Sequence, residues 1–169
     1  MKQKKLTPTQ RVLDVLSILI CIATLVYIAI IYNDLPQQIP SHFDATGNIT
    51  GYQGKSMLIV LAFFMVFLIT IPMSILVRVR KLYKAMNSPW PIPKGQEERV
   101  AEIAKDFLCI TNLMMTVMFA GIILCCMNGW KPGVFIWIPL IVLTVAMIAL
   151  LVKTRRVCTA PKEKDPWET

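Results

Sequence analysis

The sequence predicts an all-α membrane protein: four transmembrane helices, with an ordered extracellular loop between helices 1 and 2. Composition points there first. Of 169 residues, 56% are hydrophobic and 17% charged, with a mean hydropathy of +0.59. That is more apolar and less charged than a soluble domain. Four long apolar runs are the second observation, and the placement of Lys and Arg is the third.

The runs are Val12–Ile31, Met57–Val77, Phe107–Met127 and Val134–Val152. Each approaches the ~20 residues that a helix rising ~1.5 Å per residue needs to cross ~30 Å of hydrocarbon. Asp14 is the one charge inside them, near enough to the start of its run to reach toward the interface. As buried helices of a soluble protein, these runs would leave too little polar chain to cover them. The first exceeds a signal-peptide core and no small-x-small site follows it, so it is expected to remain as an anchor.

Orientation follows from positive charge. Of the 18 Lys and Arg, all but Lys55 and Lys131 lie in the N-terminal tail, the 78–106 loop or the C-terminal tail. By the positive-inside rule both termini and that loop are cytoplasmic, and residues 33–55 are outside. The chain thus reads as one four-helix transmembrane domain over residues 1–169, multi-pass in a membrane. The net charge of +8 flanks membrane segments, where it sets topology and attracts anionic lipid. No nucleic-acid module accompanies it.

The 78–106 loop divides in two. Arg78–Lys84 is expected to continue the second helix, with Tyr83 and the basic side chains snorkelling into the head groups. Asn87–Pro93 breaks it with Pro89, Pro91 and Pro93. Residues 96–106 then resume a helical pattern with Val100, Ile103 and Phe107 on one face. This segment could dock a partner; its narrow apolar stripe favours an extension of the third span along the bilayer surface. Asn128–Gly133 is a short turn that makes spans three and four an antiparallel hairpin. Pro72 and Pro139 predict kinks, and Asn112 predicts an interhelical hydrogen bond. No pair of ionisable groups lies deep in a span, which argues against an ion-coupled pump or proton relay.

Four of the five cysteines, Cys21, Cys109, Cys125 and Cys126, lie in spans, and Cys158 is in the cytoplasmic tail. None is placed for an extracellular disulfide, and the thiols read as small buried hydrophobes.

The polar loop 33–55 is too long for a structureless connection. Pro36 and Pro40 extend Leu35–Ser41, and Asp44-Ala-Thr-Gly47 matches a type I turn. A hairpin-like cap follows, Ile39–Phe43 against Asn48–Tyr52, with Ile39, Phe43, Ile49 and Tyr52 available to pack on the membrane surface. Gly51-Tyr-Gln-Gly-Lys-Ser56 imitates the end of a phosphate-binding loop but has the wrong glycine spacing. His42 and Asp44, two apart on an extended segment, would project to one side, with Asp34 as a third metal ligand. Three readings stay open there: His42 and Asp44 organise the loop, bind a ligand, or hold a metal. No Ser–His or Cys–His catalytic constellation is evident.

Tyr32-Asn-Asp-Leu-Pro-x-x-Ile-Pro-x-His-Phe-Asp44, followed by Gly47-Asn, Gly51-Tyr and Gly54-Lys-Ser56, resembles a bacterial membrane domain of unknown function. That domain forms the N-terminal half of SdpI-type (sporulation-delaying-protein immunity) proteins. The resemblance implies a non-enzymatic protein that recognises a peptide toxin or envelope ligand at the cell surface, in immunity or sensing, and can signal to a cytoplasmic regulator. His42, Phe43, Asp44, Gly47, Gly51, Tyr52, Gly54 and Lys55 are the matching positions, as ligand-binding or loop-organising residues. With four spans, the chain is expected to lack the second domain of the full immunity proteins. Two other functions compete: an accessory subunit of a membrane transporter, with a larger membrane protein as partner, or a membrane enzyme or metal-binding protein using His42 and Asp44. The expectation is no enzyme activity, no cofactor and no resident metal.

Overall fold

A computed structural model describes residues 6–79 and 89–159 of the chain. Among the described residues, four helices are long and apolar enough to cross a membrane: α1 (Pro8–Ile31), α2 (Met57–Leu76), α3 (Glu97–Asn128) and α4 (Gly133–Thr159). Between α1 and α2 the chain forms two antiparallel strands, β1 (Gln38–Phe43) and β2 (Ile49–Gly54). The fold is therefore not all-α. Ladder pairing satisfies backbone groups that an irregular loop would leave unpaired.

Each helix boundary has a local cause. Thr7 and Gln10 form a reciprocal capping box at the start of α1, with Pro8 preset for the first turn. Gly129, at φ +68°, ends α3 in the left-handed conformation and donates its N–H to the Cys125 carbonyl. α4 then begins after the short connection through Trp130, Lys131 and Pro132, so α3 and α4 pack as an antiparallel hairpin. Their contact depends on Gly121: an added Cβ would overlap the Phe135 ring. Small residues let transmembrane helices approach this closely.

α2 is not a uniform α-helix. Residues Phe64–Thr70 form a π-helical segment, and Ile71 donates its N–H to the carbonyl of Val66, five residues back. Pro72 comes next; it has no N–H and its ring crowds the carbonyl four residues before it. The wider turn meets that demand, and such insertions recur at functional positions. Pro139, in contrast, lies within α4 with no break in the helix.

Helix α3 is central: α1, α2 and α4 all pack on it. It runs unbroken for 32 residues, so the segment from Glu97 to Asp106 continues the spanning helix as one rod. Its start packs inward, with Val100, Ala101 and Ala104 buried and Gln10 of α1 donating to the Asp106 carboxylate at 2.8 Å. The expected surface-lying segment is thus part of the bundle. α2 ends at Leu76, with Val77 and Arg78 in a turn. Residues 80–84 of the expected helical continuation lie outside the described residues, as do 87 and 88 of the proline segment. Residues 89–93 carry no helix.

The apolar core lies under the hairpin. Ile28, Leu58, Ala62, Met65, Ala120 and Ile123 form it, and Ile39 of β1 drops into it, 1% exposed. Burying such a side chain contributes about 1.5–3 kcal/mol, which ties the sheet to the helices.

Candidate functional site

Two polar assemblies stand out, one in the hairpin and one inside the bundle.

The hairpin pairs Ile39 with Gln53, Pro40 with Tyr52, His42 with Gly51 and Phe43 with Ile49, and the register shifts around His42. Ser41 on β1 and Thr50 on β2 are left out of the pairing, irregularities that re-aim the side chains beside them. The His42 ring lies over Gly51, where an added Cβ would be 3.1 Å from Nδ1. Nδ1 is also 3.0 Å from the Ser41 hydroxyl.

Asp44 closes the turn. Its Oδ1 accepts from the Thr46 N–H, the Thr46 hydroxyl and the Asn48 N–H at 2.9, 2.7 and 2.8 Å. Its Oδ2 accepts from the Asn48 side-chain amide at 3.1 Å. These donors favour the charged form, chiefly the Thr46 hydroxyl, and lower the Asp44 pKa to about 2. Gly47 donates its N–H back to the Asp44 carbonyl at φ +84°, a conformation that favours glycine. A Cβ on Gly47 would be 3.1 Å from Lys131 Cβ, so the turn rests on the α3–α4 connection.

Lys55 clamps the other end. Its Nζ donates to the carbonyls of Tyr32 and Leu35 at 2.9 and 3.2 Å and sits 4.9 Å from the Tyr32 ring centre. It thus satisfies the C-cap carbonyl of α1, where cations are favoured, and a second carbonyl just past the turn that follows. The lysine of the apparent phosphate motif is a helix cap, and Gly51 and Gly54 are strand residues.

The eight predicted positions therefore lie in or beside one hairpin. Phe43 is partly buried against the core, Tyr52 is 59% exposed, and Ile49 is also exposed. Asp34 lies in the turn after α1, donating its N–H to the Ile31 carbonyl. Among the described residues, no group of three His, Cys, Asp or Glu side chains is placed to hold a metal ion.

The second assembly lies between α1, α2 and α3. Along α1 the buried positions are Gln10, Asp14, Ser17, Cys21, Thr24 and Ile28, alternately four and three residues apart. This is the 3.5-residue spacing of a helix seam, occupied here mostly by polar side chains. Asp14 does not reach toward the interface. It is 2% exposed, accepts the Ser74 hydroxyl at 2.6 Å on Oδ1, and pairs with Arg78 Nη2 at 2.6 Å on Oδ2. Arg78 also donates to the Ser74 carbonyl.

Asn112 of α3 donates its side-chain amide to Ser74 Oγ at 3.2 Å, so the expected interhelical bond is present. Its own Oδ1 is buried with no partner among the described residues. One level on, Thr70 and Thr116 share a hydrogen bond of 3.1 Å between α2 and α3. Ser17 and Thr24 turn their hydroxyls to carbonyls four residues back on α1, needing no partner elsewhere. The result is a three-helix polar seam holding one ion pair at the Arg78 end. The signal was in the sequence, as polar residues every three or four positions through the start of an apolar run.

These features define a helical, multi-pass membrane-type protein capped by a small hairpin. Residues 19–69 match the model of a family described as "Domain of unknown function (DUF1648)". The matched region starts within α1, takes in the whole hairpin and ends in the π segment of α2. No curated protein and no solved structure matches the chain.

Proposed function

We propose that this protein sits in the bacterial cell membrane, with both termini and the 78–106 loop cytoplasmic. Its outward-facing hairpin recognises a peptide or envelope ligand, in immunity or sensing of the SdpI type. The distribution of Lys and Arg supports the orientation.

The observation that carries the recognition reading is a hairpin held at three points with an aromatic left free. Ile39 anchors it in the core, Lys55 caps α1, and Gly47 rests on Lys131. Tyr52 stays largely exposed in the middle of β2. A rigid strand presenting tyrosine loses little entropy on binding, and tyrosine is enriched at binding hot spots.

The same geometry speaks against acid–base chemistry at Asp44. The Asp44 carboxylate is taken up by four donors within its own turn. Its lowered pKa suits a fixed anion better than a general acid or base near neutrality.

The test is affinity purification of tagged wild-type, Tyr52→Ala and His42→Ala proteins from native membranes, with mass spectrometry of what is captured. Wild type is expected to retain a peptide or envelope component that Tyr52→Ala loses while its amide protection stays native. Identical captures from wild type and Tyr52→Ala would refute recognition through this face.

A further inference from the structure

Helices α1 and α2 both pack on α3 and meet each other mainly along the π segment, leaving a cavity of about 440 Å3 between them. That size falls within the range of small-molecule sites. Ile18, Ile22 and Leu25 line it from α1, and Val66 and Ile71 from α2, with Arg78 at one end. We propose that this groove holds one acyl chain of a phospholipid whose phosphate is bound by Arg78.

Three features select that occupant. The walls are mostly aliphatic, so the groove takes hydrocarbon. From Val66 to Arg78 the chain passes through the end of the π segment, one α-helical stretch and a turn, so its rise stays below the ~18 Å of a uniform α-helix and comes to about half of a ~30 Å hydrocarbon core. The groove thus has the depth of one leaflet, ending where that leaflet's head groups begin.

The cation is the third feature. Arg78 is 53% exposed even while paired with Asp14. A guanidinium carries five N–H groups. One is committed to the Asp14 carboxylate and one to the Ser74 carbonyl, which leaves donors for an anion from the head-group side. Arginine suits phosphate geometrically, and basic pockets between transmembrane helices are a known mode of head-group recognition. In the sequence, Arg80, Lys81 and Lys84 follow directly.

The experiment uses the full chain reconstituted in nanodiscs of phosphatidylglycerol and phosphatidylethanolamine, then extracted in mild detergent and weighed by native mass spectrometry. Wild type is expected to keep one phospholipid per chain through extraction, undisplaced by excess inorganic phosphate. Ile71→Trp, which fills the groove, loses it, and Arg78→Lys, which keeps the charge opposite Asp14, retains it several-fold less. Ile22→Trp asks the same question from the other wall should Ile71→Trp fail to fold, and unchanged thermal unfolding certifies each variant. No retained lipid in wild type, equal retention in a folded groove-filled variant, displacement by inorganic phosphate, or a fatty acid or peptide in place of phospholipid would each overturn the proposal.

Discussion

Arg78 Nη2 stands 2.6 Å from Asp14 Oδ2, joining the end of α2 to the second turn of α1 across 64 positions of chain. The two partners are unequal: Asp14 is almost wholly buried and Arg78 half in the open. Removing the arginine strands a carboxylate where charge is poorly solvated, whereas removing the carboxylate lets the arginine turn outward. Arg78→Ala is therefore expected to cost about 2–3 kcal/mol, and Asp14→Asn, which still accepts from Ser74, about 1 kcal/mol. Unfolding in mixed micelles measures both. The double variant should cost less than the sum of the singles, and equal single costs would contradict the asymmetry.

Lys55→Met leaves the Tyr32 and Leu35 carbonyls without their shared donor. Loss of two hydrogen bonds from one cation is expected to cost about 2 kcal/mol and to loosen the α1–β1 junction. Hydrogen exchange should quicken across residues 33–38 and stay unchanged in α3 and α4. Uniform quickening everywhere would mean that Lys55 supports the whole bundle instead.

Asp44 gives the hairpin a defined response to acid. Its folded pKa, about 2, lies below the ordinary 3.8, so ionisation favours the closed turn. That stabilisation is complete above the ordinary value and is lost as pH falls from there through about 2. Amide protection at Thr46 and Asn48 should be flat from neutral pH down to about 5 and fall below about 4. In Asp44→Asn this step should vanish; a step that persists would assign it to another carboxylate.

Much of this architecture was legible from local signals. Span length and apolarity mark the four helices, and Asp44 with Gly47 marks the turn, because both depend on residues close in sequence. The irregular pairing at Ser41 and Thr50, which turns His42 onto Gly51, had no such mark. Lys55 resembles part of a phosphate loop because its partners, Tyr32 and Leu35, lie 23 and 20 residues earlier. The polar seam joins residues far apart in sequence. Asp14 alone in an apolar run suggests an interfacial charge, and only folding brings Ser74, Arg78 and Asn112 to it. The seam spacing at Gln10, Asp14, Ser17, Cys21 and Thr24 was available to a periodicity argument applied to polar residues as well as apolar ones.

Recognition through the exposed face of β2 can be read by site-specific photo-crosslinking in intact cells. A photoreactive side chain replacing Tyr52 is expected to form a peptide or protein adduct. The same group at Ile141, an exposed position on α4, is expected to form none. Adducts absent at position 52 and present from Lys94, in the connection before α3, would place the partner surface on the other side of the membrane and contradict the account.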